Sequence, residues 1–403
     1  MGSWLKSTGL CGVLVAIVSL ACSSSDDGAS PMGNAGATGT AGSGAGGSGG
    51  ASGGAANGGA NAGGQASGGA VNGGAAGSAG TGGADMGGAG GMAGNAGAGG
   101  EAGGGGGAAQ ELAAQERDGL HVFDVGGETV FAVDGMTGAR VVTFSIDGTN
   151  ILTGPTNHAQ FYGSTLWTGP EQEWASLNPQ TFTPVPGLDN EPYTMSIEQG
   201  SIIVAQSAPF LVVAKELSAS KRFSYDLAKS AIVIDYSLTN EGQTPFDIGL
   251  WEVTRVLGEG LTFYPTGANQ TTLYGSLAVT AMADHDWIDH GAFTVGEASK
   301  VGADGTGGWI AHVQADPAGD LLFIKQYTDI ADGLAAPEQH EIEVFEQSDA
   351  SYIELELHSE YGTLPAGMSR SWQVRWYLRR LPVGTDVSVG SAALIEAVTT
   401  ALQ

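Results

Sequence analysis

Two short runs in the last quarter of the chain place carboxylates at alternate positions: Glu341 and Glu343 in the first, Glu354 and Glu356 in the second. Ile342 and Val344 alternate with the first pair, and Ile353, Leu355 and Leu357 with the second. A period of two puts the acids of each run on one face and the apolar side chains on the other. Closing the runs into a hairpin over a four-residue turn, 347–350, sets Glu343 opposite Glu354 and Glu341 opposite Glu356. Like charges directly across a strand pair destabilise it. At about 5 Å and an effective dielectric near 20 each pair costs roughly 3 kcal/mol, and under about 1 kcal/mol in open water. An enclosed face therefore needs a compensator, for which Arg375 and Arg379, a bound cation, or a ligand's hydroxyl groups qualify. A solvated face needs none. Arg255 and Lys325 are scarce cations set in apolar runs. They either reach into a site to hold polar ligand groups or serve as structural ion-pair partners, with Glu252 available to both. His285 and His290 sit five residues apart on a stretch that reads as loop, and solvated histidines outweigh a metal site there. The only cysteines, Cys11 and Cys22, precede the folded part, which has no thiolate nucleophile. The glycines at 103–107 precede no strand-turn-helix unit and so are not a phosphate loop; neither a metal nor a cofactor is expected.

These residues need rigid elements to position them, and the sequence offers strands. Runs such as Leu120–Val125, Arg140–Ile146, 201–205, 211–217, 231–239, 320–326 and 372–378 are rich in Val, Ile, Thr and aromatics and are broken by Gly, Asn, Asp and Pro. That pattern predicts an all-β fold, a large antiparallel sandwich, with one short helix over 391–402. Of the 69 glycines in the 403 residues, 37 lie between Gly28 and Gln110, a tract with only Asp85 and Glu101 charged. Such a tract cannot bury enough apolar surface to offset its chain entropy. It is expected to be a disordered tether spanning about 50 Å root-mean-square. Residues 111–403 hold 13 Lys and Arg against 38 Asp and Glu, a surface that repels phosphate and argues against nucleic acid.

Lys6 precedes an apolar run at 10–21 that is too short to span a bilayer. Ser19-Leu20-Ala21-Cys22 followed by Ser23 resembles a bacterial lipoprotein signal, with Cys22 the acylated residue. The resemblance implies a signal peptide at 1–22, a linker at 23–115 and a folded domain at 116–403. It further implies a lipid-anchored envelope protein, sorted to the outer membrane by Ser23, with contact to the membrane through the anchor alone.

Thr137-Gly138-Ala139-Arg140-Val141-Val142-Thr143-Phe144, Tyr236-Ser237-Leu238-Thr239-Asn240, and Glu354-Leu355-Glu356-Leu357-His358 before Leu364-Pro365-Ala366-Gly367 resemble successive segments of galactose-mutarotase-like domains. Tyr162-Gly163-Ser164-Thr165-Leu166-Trp167, Trp251-Glu252-Val253-Thr254-Arg255 and Trp376-Tyr377-Leu378-Arg379-Arg380-Leu381-Pro382 are similar to an uncharacterised bacterial branch of that superfamily. The resemblance spans about 120–383. It implies a β-supersandwich whose concave sheet binds sugars, with Glu356 as the candidate general base of an aldose epimerase. The two histidines that the family uses are missing: Tyr162 and Trp251 stand in those places. Tyr162, or His158 near it, is then the substitute acid. A carbohydrate ligand would stack on Trp167, Trp174 and Trp251, with Glu252, Arg255, Lys325, Glu354 and Glu356 as polar contacts. The expected function is a carbohydrate-binding, non-catalytic lipoprotein. The alternatives are an aldose 1-epimerase or related sugar-ring enzyme, and a structural envelope protein that docks onto another protein.

Overall fold

The computed structural model describes residues 112–177, 182–292 and 295–403; the signal, Cys22 and nearly all of the expected linker lie outside them. Hydrogen-bonded strands pair antiparallel throughout and build two sheets, of 12 and 11 strands. In the larger sheet, five strands carry the site: β1 (Ser164–Gly169), β2 (Phe246–Val256), β3 (Ser299–Asp304), β4 (Ile342–Glu346) and β5 (Ile353–His358). Across the sheet they run in the order β1, β2, β5, β4, β3. The first described strand, Ala114–Arg117, pairs with Leu120–Val125 and so starts inside the stretch read as linker.

Alternation sorts each strand's side chains between two faces. Phe131 and Phe144 of the larger sheet meet Phe223, Phe323 and Trp376 of the smaller, with ring centroids 5.6–6.1 Å apart. Burying aromatic rings of that size supplies the largest apolar areas in such a core. Leu166, Leu250, Val344, Leu355 and Leu357 extend the same buried layer. A second apolar layer lies behind the smaller sheet. There the helix Ala392–Leu402 sets Leu394 and Val398 against Leu322, Ile324 and Tyr377. Ser391 caps that helix by accepting from the Leu394 amide at 3.3 Å, which satisfies one of its free N–H groups.

Three expectations change. The run 211–217 is two strands, because Val213 adopts a positive φ of 56° and turns the chain before Lys215–Asp226 begins. The acidic hairpin keeps its expected faces but slips by one strand pair: Glu343 faces Glu356, and Phe345 faces Glu354. Strand pairing ends at Glu346 and Ile353, so the connection is longer than the four-residue turn that fixed the expected register. Arg375 and Arg379 do not compensate these acids. They belong to the smaller sheet, where Arg375 pairs with Asp226 at 2.9 Å and Arg379 donates to the Ser230 and Lys229 carbonyls.

Candidate functional site

The face of the larger sheet that points away from the smaller one collects side chains from all five strands. β1 contributes Trp167, β2 Trp251 and Arg255, β3 Lys300, β4 Glu343 and Phe345, and β5 Glu354, Glu356 and His358. Cross-strand pairing fixes this set: Trp251 lies between Trp167 and His358, Arg255 beside Glu354, and Glu343 beside Glu356. Period two brings them to one face although they are spread over nearly 200 residues.

Lys300 neutralises the acidic pair. Its Nζ lies 2.6 Å from Glu343 Oε2, 3.0 Å from Glu356 Oε2 and 3.7 Å from Glu171 Oε2. Trp251 Nε1 donates to Glu356 Oε2 at 2.8 Å. The His358 ring stacks on Trp251 at 5.3 Å, and its Nε2 is 3.7 Å from Glu343 Oε2. Burial pushes Glu356 well above the usual carboxylate range; the pull of Lys300 is outweighed, since Glu343 and Glu354 add to the rise. Burial acts on Glu343 too, but Lys300 and then His358 hold it below the usual value. Lys300 stays charged: burial works against the ammonium, and Glu356, Glu343 and Glu171 together raise its pKa well above the ordinary value. His358 is shifted down by burial, against Glu343. The floor thus holds one strongly bound ammonium between a carboxylate whose ionised form Lys300 favours and a carboxyl whose neutral form burial favours. Glu343, Glu356 and His358 also present ligand atoms within 4.8 Å of one another, as a metal site would. The Lys300 ammonium already sits where a cation would bridge the two carboxylates.

Above this floor is a cavity of about 240 Å³. Its walls are the rings of Phe161, Trp167, Phe182, Trp251, Tyr274, Phe345 and Tyr352, with Glu171, Lys300, Gln347 and Glu354 as polar members. That is smaller than the roughly 300–1,000 Å³ of pockets for drug-sized ligands, and it suits a single ring. The helix α1 (Glu171–Leu177) supplies Glu171 and packs Trp174 behind the wall, fully buried, its Nε1 donating to Thr168 O at 2.8 Å. Arg255 also lies behind the wall. Its Nε donates to Glu354 Oε1 at 2.7 Å, and its guanidinium stands 5.0 Å from the Trp167 ring and 5.2 Å from the Phe161 ring.

Of the residues singled out in the sequence, Trp167, Trp251 and Glu354 line the cavity, and Arg255, Glu356 and Trp174 lie against or beneath its walls. Glu252 and Lys325 do not belong to it. Adjacent to Trp251, Glu252 must point the other way, and it does: Lys325 Nζ lies 2.8 Å from its Oε2, and Tyr236 Oη donates to its Oε1 at 2.7 Å. All three are buried between the sheets, a structural ion pair. Tyr162 does not line the cavity; its ring is covered by the Arg140 guanidinium at 4.3 Å. His158 supports the wall instead of the floor, stacking on Phe161 at 5.1 Å while its Nδ1 accepts from the Phe161 amide at 2.9 Å. His290 is no solvated loop residue: it is buried between Thr262 and Glu346. Sequence reasoning missed Lys300, the most important cation of the site, and the rings Phe161, Tyr274, Phe345 and Tyr352. Lys300 had one signal, a lone cation in a β-like run of an acidic chain.

No protein-family model matches the sequence, and comparison with curated proteins gives no match. In structure the chain is similar to galactose-mutarotase-like and aldose 1-epimerase proteins. A galactose mutarotase-like protein from Lactobacillus casei matches 66% of this chain and 99% of its own, at 11% identity and a TM-score of 0.44. A galactose mutarotase related enzyme from Lactobacillus acidophilus matches 68% and 99%, at 6% identity and a TM-score of 0.41. A candidate aldose 1-epimerase from Klebsiella pneumoniae matches 70% and 84%, at 10% identity and a TM-score of 0.45.

Proposed function

We propose that the domain is a non-catalytic carbohydrate-binding module, displayed on the cell envelope by an acylated Cys22 and a glycine-rich tether that ends before the strand at Ala114. The observation that carries this reading is the ring-walled cavity over the Lys300–Glu343–Glu356 floor. Aromatic faces stack on the apolar faces of a pyranose, while Lys300, Glu354, Glu171 and Gln347 offer hydrogen bonds to its hydroxyls. Catalysis of ring opening needs a base and an acid in reach of the sugar. Glu356 is fully buried, lies under Lys300 and Trp251, and burial shifts it away from the ionised form a base needs. Tyr162 is outside the cavity, and His158 Nδ1 is occupied by backbone amides. Lys300, with its pKa raised, is a poor proton donor and a good fixed hydrogen-bond donor. No helix among the described residues is long and apolar enough to cross a membrane, and outer-membrane placement rests on the Cys22 and Ser23 reading.

Calorimetric titration of the full chain with a monosaccharide panel tests the proposal. Binding in the micromolar to millimolar range is expected, weakened several-fold in Tyr274→Ala, which removes a half-exposed ring at the cavity mouth. A panel that shows no binding at millimolar concentration refutes it. Polarimetry of freshly dissolved α-glucose and α-galactose is expected to show no acceleration. An acceleration that Glu356→Gln abolishes would return the domain to the epimerases.

A further inference from the structure

Resting on the carbohydrate reading above, we propose that this cavity selects sugars that carry a free ammonium group over their neutral and anionic counterparts. Formal charges at the cavity and just beneath it are Glu171, Glu343, Glu354 and Glu356 against Lys300 and Arg255. Each cation already faces a carboxylate, and Arg255 Nη1 and Nη2 are buried behind the wall without a hydrogen-bond partner among the described residues. Arg255 is fully buried, with its Nε on Glu354. Lys300 is surrounded by Glu343, Glu356 and Glu171 at 2.6, 3.0 and 3.7 Å. The surplus is therefore negative even with Glu356 neutral, and it lies beside ring faces whose quadrupoles also favour a cation. Tyr274 and Phe345 stand 6.4 Å apart at the Lys300 side, and neither has a protein cation over its ring among the described residues. Both acids that line the cavity can take an ammonium: Glu354 uses Oε1 for Arg255, and the Glu171 side chain is 43% exposed at the mouth. A phosphate or uronate placed there meets the same carboxylates with no spare cation to hold it.

The test is a titration of the full chain with matched sugars. The panel is 2-amino-2-deoxyglucose and 2-amino-2-deoxygalactose, their parent hexoses, their N-acetyl forms and the hexose 6-phosphates. The amines are expected to bind at least tenfold more tightly than the parents, about 1.4 kcal/mol, and the phosphates most weakly. The gap between amine and parent is expected to narrow as salt rises from about 0.05 to about 0.5 M, because the Debye length shortens through the dimensions of the cavity. In Glu171→Gln the ratio of amine to parent affinity is expected to fall at least threefold. Equal affinities for amine and parent, or an N-acetyl form as tight as the amine, overturn this inference and leave the carbohydrate reading standing. No binding by any member overturns both.

Discussion

Replacing Lys300 by Met removes the positive charge that allows Glu343 and Glu356 to face each other across β4 and β5. In the wild type burial biases Glu356 toward its neutral form while Lys300 favours the ionised form of Glu343, so the variant removes the charge that keeps Glu343 ionised and favours a second neutral carboxyl. A glutamate with an unfolded value near 4.3, held neutral at pH 7, costs about 1.4 kcal/mol for each pH unit, or about 3–4 kcal/mol. That agrees with the 3–5 kcal/mol typical of breaking a buried ion pair by removing one member. The direction with pH follows from the same groups. In the wild type the depressed Glu343 contributes stability above about pH 4.3 that is lost as pH falls. In Lys300→Met the same group is raised, and its contribution, present below about pH 4.3, is lost as pH rises. The variant's penalty should therefore grow by about 2.7 kcal/mol between pH 5 and pH 7, a window in which the wild-type contribution of Glu343 is already complete. Urea unfolding followed by tryptophan fluorescence reads it directly, since Trp251 lies 5.4 Å from the Lys300 ammonium. The double variant Lys300→Met with Glu343→Gln should recover most of the loss. A penalty that is below about 1 kcal/mol at pH 7, or independent of pH between 5 and 7, would refute the reasoning.

Two further outcomes follow from buried charges away from the cavity. Lys325→Met should cost about 3–5 kcal/mol in urea unfolding by stranding Glu252 between the sheets, and adding Glu252→Leu should recover most of it. Sugar affinity in that double variant should match the wild type, because both residues point to the opposite face; a loss of binding with stability restored would contradict their placement. Burial raises Glu346 to about 8, so its stabilising contribution is complete below about pH 4.3 and is lost as pH rises toward 8. The melting temperature of Glu346→Gln should therefore fall less than that of the wild type between pH 5 and 7, and identical slopes would exclude the assignment.

Much of this was legible in the chain. Strand positions could be read because β-branched and aromatic residues alternate between turn residues, and alternation also fixed which side of Ile353–His358 carries its acids. The same rule could have removed an error: Trp251 and Glu252 are neighbours in one strand and cannot line one cavity. Composition set the glycine-rich tract apart from the strand-forming part, because charge and chain entropy are sums over residues. Other features depended on which distant strands became neighbours. A local turn estimate missed the register of β4 and β5 by one pair, and pairing between β3 and β4 alone brought Lys300 to Glu343 and Glu356. Tyr162 and His158 lie close in sequence to Trp167, yet one is held by Arg140 and the other by Phe161. The sequence by itself determined an acidic all-β domain with alternating faces, since those properties are local or additive. Only the tertiary structure decided which charges meet, because ion pairing depends on distances that cross-strand neighbours set and the order of residues does not.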